Sequence, residues 1–138
     1  MKKWLQKRLK NEKGLTLVEL LAVIVILGII AAIAVPSIGK VIDNTKDKAI
    51  LADASNILSA TKLAVTQGDC KSASECEQSD LSGYLENIGG TYSTKKNESG
   101  VWTVTYSKIG DIKNDKYKAT SGNTMTEDEL LKKMGSKE

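Results

Sequence analysis

Three residues have side chains whose type and setting call for a chemical explanation. Glu19 is the single charge in the run from Leu15 to Val35, LTLVELLAVIVILGIIAAIAV, which holds 21 residues. An ionised carboxylate at the centre of a membrane-spanning helix costs about 2.5–3.5 kcal/mol on insertion scales, so an acid kept there marks a function and implies a partner. Cys70 and Cys76 stand with five residues between them in a polar stretch. In an exported domain such a pair reads most simply as a disulfide. The other readings are two free thiols or half of a zinc site, and no third thiol or imidazole exists in the chain to complete such a site. The absence of histidine also removes the commonest general base and metal ligand. No phosphate-binding loop and no nucleophile–base pair is visible, so no catalytic residue, cofactor or metal site is assigned, and the chain does not read as an enzyme.

The element that carries Glu19 is an apolar helix about 31 Å long at about 1.5 Å per residue, the thickness of a bilayer core. Residues 1–14 precede it with six bases and one acid. Taking their net +5 from the chain's +3 leaves −2 for the remainder. A nucleic-acid binder carries its positive charge on the folded body, so no direct nucleic-acid binding is expected. The basic flank places the N-terminus in the cytoplasm and everything past residue 40 outside. Three readings fit a basic flank followed by an apolar run. One is a secretory signal peptide cut after Ala34, since Ala32-Ile33-Ala34 has the small-x-small pattern. The second is a plain one-pass anchor. Neither accounts for Glu19. The third is cleavage after Gly14, which gives Leu15 a new α-amine four residues before Glu19 and on the same helix face. Amine and carboxylate can then neutralise each other, within one copy or between neighbours. Between neighbours the pairing fixes register, because a buried charge without its partner is penalised by several kcal/mol.

Lys13-Gly14-Leu15-Thr16-Leu17-Val18-Glu19, the apolar run, Gly28 and Pro36 together resemble the N-terminus of type IV pilins and pseudopilins. One position departs: the family most often begins its mature chain with Phe, and Leu15 stands here, apolar in its place. The resemblance implies that a prepilin peptidase cuts after Gly14 and methylates the amine of Leu15. It also implies that an assembly platform and ATPase draw the subunit from the membrane into a helical homo-oligomer, and that Glu19 pairs with Leu15 of an adjacent subunit. Gly28 and Pro36 would bracket a segment able to unwind in the filament. Glycine weakens a helix interior and proline removes a donor and clashes with the preceding turn, which agrees with that role. The alternative is that Gly28 eases packing and Pro36 only kinks the helix. The small head with one cysteine pair suits a Gram-positive pilin or a competence-type pseudopilin.

Past Pro36 the apolar residues Ile38, Val41, Ile42, Ala49, Ala52, Ile57, Ala60 and Ala64 recur at near-helical spacing, with Lys40, Asp43, Lys46, Asp47 and Lys48 on other faces. The helix is therefore expected to run to Gln67 and stop at Gly68, about 80 Å from Leu15. A loop from Asp69 to Asp80 follows, then a short helix over 81–87 capped by Asp80. Strands are expected at 91–96 and 101–109, joined by the turn Asn97-Glu98-Ser99-Gly100, with Trp102, Val104 and Tyr106 alternating against Thr103, Thr105 and Ser107. A third strand is expected at 116–120, and a last helix from Thr126 as N-cap to about Met134. Asp111, Asn114 and Asp115 lack a full calcium ligand set and read as a polar turn. Asn97-Glu98-Ser99 matches a glycosylation sequon and is read as a turn. Lys95-Lys96 and Lys132-Lys133 read as solvated faces.

The expected fold is thus α+β: a long N-terminal helix, membrane-spanning in its first half and amphipathic in its second, packed against a small antiparallel meander. The expected parts are a cleaved leader at 1–14, a transmembrane and filament-core helix at 15–36, and an extracytoplasmic head at 37–138. Function follows as a filament subunit serving adhesion, motility, DNA uptake or secretion, held in the cell membrane before assembly and at the cell surface after it. The alternative is a monomeric membrane-anchored domain that binds a ligand outside the cell.

Overall fold

In a computed structural model of the chain, the backbone of residues 2–135 and the side chains of residues 16–135 are described. The first element, α1, is the helix Lys2–Gln67. The chain divides into two compact units, Met1–Val41 and Ile42–Glu138. In the described part of the first unit every large apolar side chain from Leu17 to Val41 is more than half exposed. That apolar surface covers all faces of the helix, and none of the described residues buries it.

The second unit starts with the remaining turns of α1, which close at Gly68 in the left-handed region, φ +82°. Four strands follow: β1 (Glu75–Glu77), β2 (Tyr92–Lys96), β3 (Trp102–Tyr106) and β4 (Thr124–Thr126). They form one antiparallel sheet in the order β1-β2-β3-β4. A 3-10 turn at Ser107–Asp111 leads away from β3, and helix α2 (Glu127–Lys133) follows β4. Thr126 caps α2 by accepting the Glu129 amide, as the sequence leads one to expect. The register sets Cys76, Thr94, Val104 and Met125 in one row across the sheet, and all four are buried. A strand turns alternate side chains to one face, so a single row fixes which face meets α1. Leu51, Ala54, Ile57, Leu58 and Ala64 of the helix complete the core. At its centre Thr61 Oγ1 donates to the Ile57 carbonyl at 2.8 Å and lies 2.9 Å from Thr94 Oγ1. A hydroxyl has one proton, so Thr94 is the donor of the second bond.

The α+β architecture is as expected, with several differences in detail. Of the expected stripe, Ile57, Ala60 and Ala64 are buried, while Ile38, Val41, Ile42, Ala49 and Ala52 are exposed. Leu51, Ala54 and Leu58 take their place, because small alanines fit either face and the bulky Leu51 sets the angle. Asp47, expected on a solvated face, is 2% exposed. Residues 81–87 form turns and no helix, since the Asp80 carboxylate accepts the Lys71 and Glu77 amides behind it and is not free to cap forward. Residues 116–120 are not a strand. Thr124–Thr126 pairs with β3 in their place, and β1 arises within the expected 69–80 loop.

Candidate functional site

Glu19 lies on the exposed apolar length of α1. Among the described residues this is the one helix long and apolar enough to cross a membrane. Its sequence explains why it is helical with no tertiary support: leucine, isoleucine and valine in an apolar medium keep every backbone hydrogen bond inside the segment. A helix apolar on all sides must be covered by lipid or by other helices. Gly14 and Leu15, the expected cleavage and methylation positions, fall within α1, and their side chains lie outside those described. Gly28 has no neighbour within 4 Å of where a Cβ would sit, so its surface there is open. Pro36 lies inside the helix, which continues through it, and the carbonyl of Ala32 lacks the N–H that any other residue at 36 would offer. The stretch between Gly28 and Pro36 is therefore intact, with a weak point at each end.

The head carries the remaining expected positions. Cys70 and Cys76 are joined in a disulfide, with their Cα atoms 4.9 Å apart. It ties the residues just past the end of α1 to the middle of β1. Asp80 braces the same loop through its two amide bonds, which hold its carboxyl below the usual carboxylate range. The Tyr84 hydroxyl donates to Asp69 beside it, and that bond raises the phenol pKa. Asn97 Oδ1 accepts the Val101 amide at 2.8 Å, so the sequon residue holds the β2–β3 turn. Asn114 Oδ1 accepts the Lys116 amide, Asp115 pairs with Lys118, and no group of acids, cysteines or histidines able to hold a metal occurs among the described residues.

Three polar anchors in the head had no distinguishing sequence signal. Asp47, inside Lys46-Asp47-Lys48, accepts the backbone N–H of Lys113 at 3.1 Å and of Asn114 at 2.8 Å. It pins the 113–118 segment to α1. The Tyr106 hydroxyl donates to the Gly89 carbonyl at 3.0 Å and lies 3.3 Å from Asp53 Oδ2. Burial, with the Asp53 charge beside it, pushes the Tyr106 phenol up to about 12. The third anchor is the Thr61–Thr94 pair. Each is legible only once the partner segment, 17 or more residues away, is placed.

These features give the head a fixed fold, while the apolar length of α1 stays exposed among the described residues. Residues 9–35 match the family model of the prokaryotic N-terminal methylation motif. The motif is the class III signal peptide of type IV pilins, whose family is structural rather than catalytic. The match takes in Gly14, Leu15, Glu19 and Gly28, and ends one residue before Pro36. Methylation motif, apolar helix and head disulfide together fit a pilin-like protein anchored in a membrane. No curated protein and no solved structure matches the chain.

Proposed function

We propose that this chain is a prepilin, cut after Gly14, methylated at Leu15 and assembled into a filament through α1. The observation that carries the reading is Glu19, an acid on a helix whose every large apolar side chain is exposed. Lipid covers that helix before assembly, and the helices of other copies cover it afterwards. Apolar contact between helices has no preferred axial position, so a polymer held by it alone would slide. The Glu19 carboxylate paired with the new Leu15 amine of a neighbour supplies the missing step, because each unpaired charge costs on the order of 3–5 kcal/mol when buried. Gly28 and Pro36 let the segment between them lengthen under that packing. A prepilin peptidase, an assembly platform and its ATPase are the partners this route needs.

Two measurements test the reading. Mass spectrometry of the mature protein is expected to find an N-terminus at Leu15, one methyl group heavier than the plain amine. A start at Val35 would establish the secretory signal instead, and an uncut chain would leave a tethered monomer with an extracellular binding head. Glu19→Ala should leave the protein in the membrane and lower fibre yield by more than about tenfold, given about 1.4 kcal/mol per factor of ten. Fibres of unchanged yield and repeat would remove the basis of the proposal.

A further inference from the structure

The head has two concave flanks of opposite charge, one on each side of the α1 face that meets the sheet. One is lined by Lys48, Leu51, Lys116, Tyr117, Lys133 and Met134, with no acid among its lining residues. None of these lysines forms an ion pair among the described residues, and Lys133 Nζ lies 3.4 Å from the Lys116 carbonyl. An adjoining groove that shares Lys116 and Lys133 adds Lys132, Asp128 and Glu129. Glu129 is occupied, accepting the Thr120 amide at 2.7 Å and hydroxyl at 2.6 Å. The other flank lies between α1 and the 84–88 segment, where Asp53 and Glu86 line a groove with Asn56, Ser59 and Leu63 and with no base among the lining residues. Lys108 Nζ stands at its edge, near Gly89, and two carboxylates against one ammonium leave the groove acidic. Each flank also shows one large apolar side chain to solvent, Met134 on the basic side and Leu63 on the acidic side.

We propose that these flanks are the two halves of one contact between copies, the lysine flank of one head seated in the acidic groove of the next. The inference rests on the filament reading and names the second surface that such a filament uses. Around α1, at about 100° per residue, Lys48 and Asp53 stand about 140° apart, with the buried face of Ala54 and Thr61 on the far side between them. The groove is centred about 15 Å further along the helix than Lys48. A contact between different patches, offset in this way, does not close into a dimer. It repeats, as open helical assemblies require. Complementary potentials also reject the wrong pairing, since two acidic or two basic flanks repel. The charge pair at the N-terminus would set the register of the helices, and this pair the rotation of the heads.

Zero-length carbodiimide cross-linking of intact fibres tests the contact, using full chains grown as a mixture of isotopically light and heavy copies. Peptides holding Lys116 or Lys133 are expected joined to the Glu86 peptide, with light–heavy pairs present. Charge reversal is the second arm. Glu86→Lys alone and Lys116→Glu with Lys133→Glu should each lower fibre yield by at least about tenfold, while the three changes together restore most of it. Unchanged Trp102 fluorescence melts would show that the heads remain folded. If fibres form yet carry no such link, or the reversals leave yield unaltered or are not rescued by combination, this contact is refuted while the filament reading stands. If the wild-type chain never forms fibres, both fall.

Discussion

Tyr106 shows how a single side chain is held in the head and what that does to its acid–base behaviour. Its ring packs edge-on to Tyr92 at 6.4 Å, its hydroxyl donates to Gly89, and Asp53 lies beside it. The phenol is pushed from its ordinary 10.0 to about 12. The folded chain therefore holds this proton when the unfolded chain has lost it. The associated stability is fully present below about pH 10 and is lost as pH rises from 10 to 12, at up to about 1.4 kcal/mol per pH unit. The readout is a difference between two chains that share every other group. Urea unfolding of the wild-type chain and of Tyr106→Phe between pH 8 and 12 should give a steeper alkaline decline for the wild type. At pH 7 the variant should be weaker by about 1–2 kcal/mol, because the Gly89 carbonyl is left without its donor. Parallel alkaline profiles would show that the phenol is not shifted. Asp47 and the Thr61–Thr94 pair are held by the same physics, each satisfying a buried polar group.

Among the elements, β1 depends most on one covalent bond. It has three residues, pairs on one side only, and presents Cys76 to the core. A strand so short does not hold its place by pairing alone, and the Cys70 bridge ties it to the end of α1. Reduction should remove about 2–3 kcal/mol on the chain-entropy account of a short loop. The effect should be local: hydrogen exchange is expected to quicken in Glu75–Glu77 and along Tyr92–Lys96, while the β3–β4 pairing keeps its protection. Exchange that quickened evenly through the head would show that the bridge supports the whole fold. The same dependence explains what the sequence could and could not reveal. The apolar run and the Trp102–Tyr106 alternation are local patterns strong enough to read directly, as is the Thr126 cap with Glu129. Glu75-Cys76-Glu77 has no strand pattern, and it becomes one through a bridge and a partner 20 residues on. Residues 116–120 alternate like a strand but are drawn to α1 by the Asp47 bonds, which leaves the β3 edge to Thr124–Thr126. Of the functional positions, Glu19 and the cysteines stood out by type and setting. The charged flanks did not, because each gathers residues from α1 and from segments distant in sequence.

At the scale of the whole molecule, one continuous helix serves two units that are stabilised by different means. Residues from Ile42 onward form a head with a packed core, a sheet and a disulfide, and this unit unfolds when that core is exposed to water. The described residues before it, Thr16 to Val41, have no core of their own. In lipid or detergent they have no reason to unfold, because leaving the helix would expose backbone groups to a medium that cannot bond them. The two units should therefore melt apart. In the mature chain, once the leader with Trp4 is removed, Trp102 is the one remaining indole, and it is buried against the head. Heating the mature protein in detergent micelles should shift Trp102 fluorescence in one cooperative step, lost with the sheet. Far-ultraviolet circular dichroism should keep, past that step, the helical signal of roughly the Thr16–Val41 stretch. A dichroism signal that vanished in the same step as the fluorescence would mean that the apolar helix draws its order from the head. On the filament reading proposed above, this independence lets the helix pass from lipid into a bundle of its copies without disturbing the fold of the head it carries.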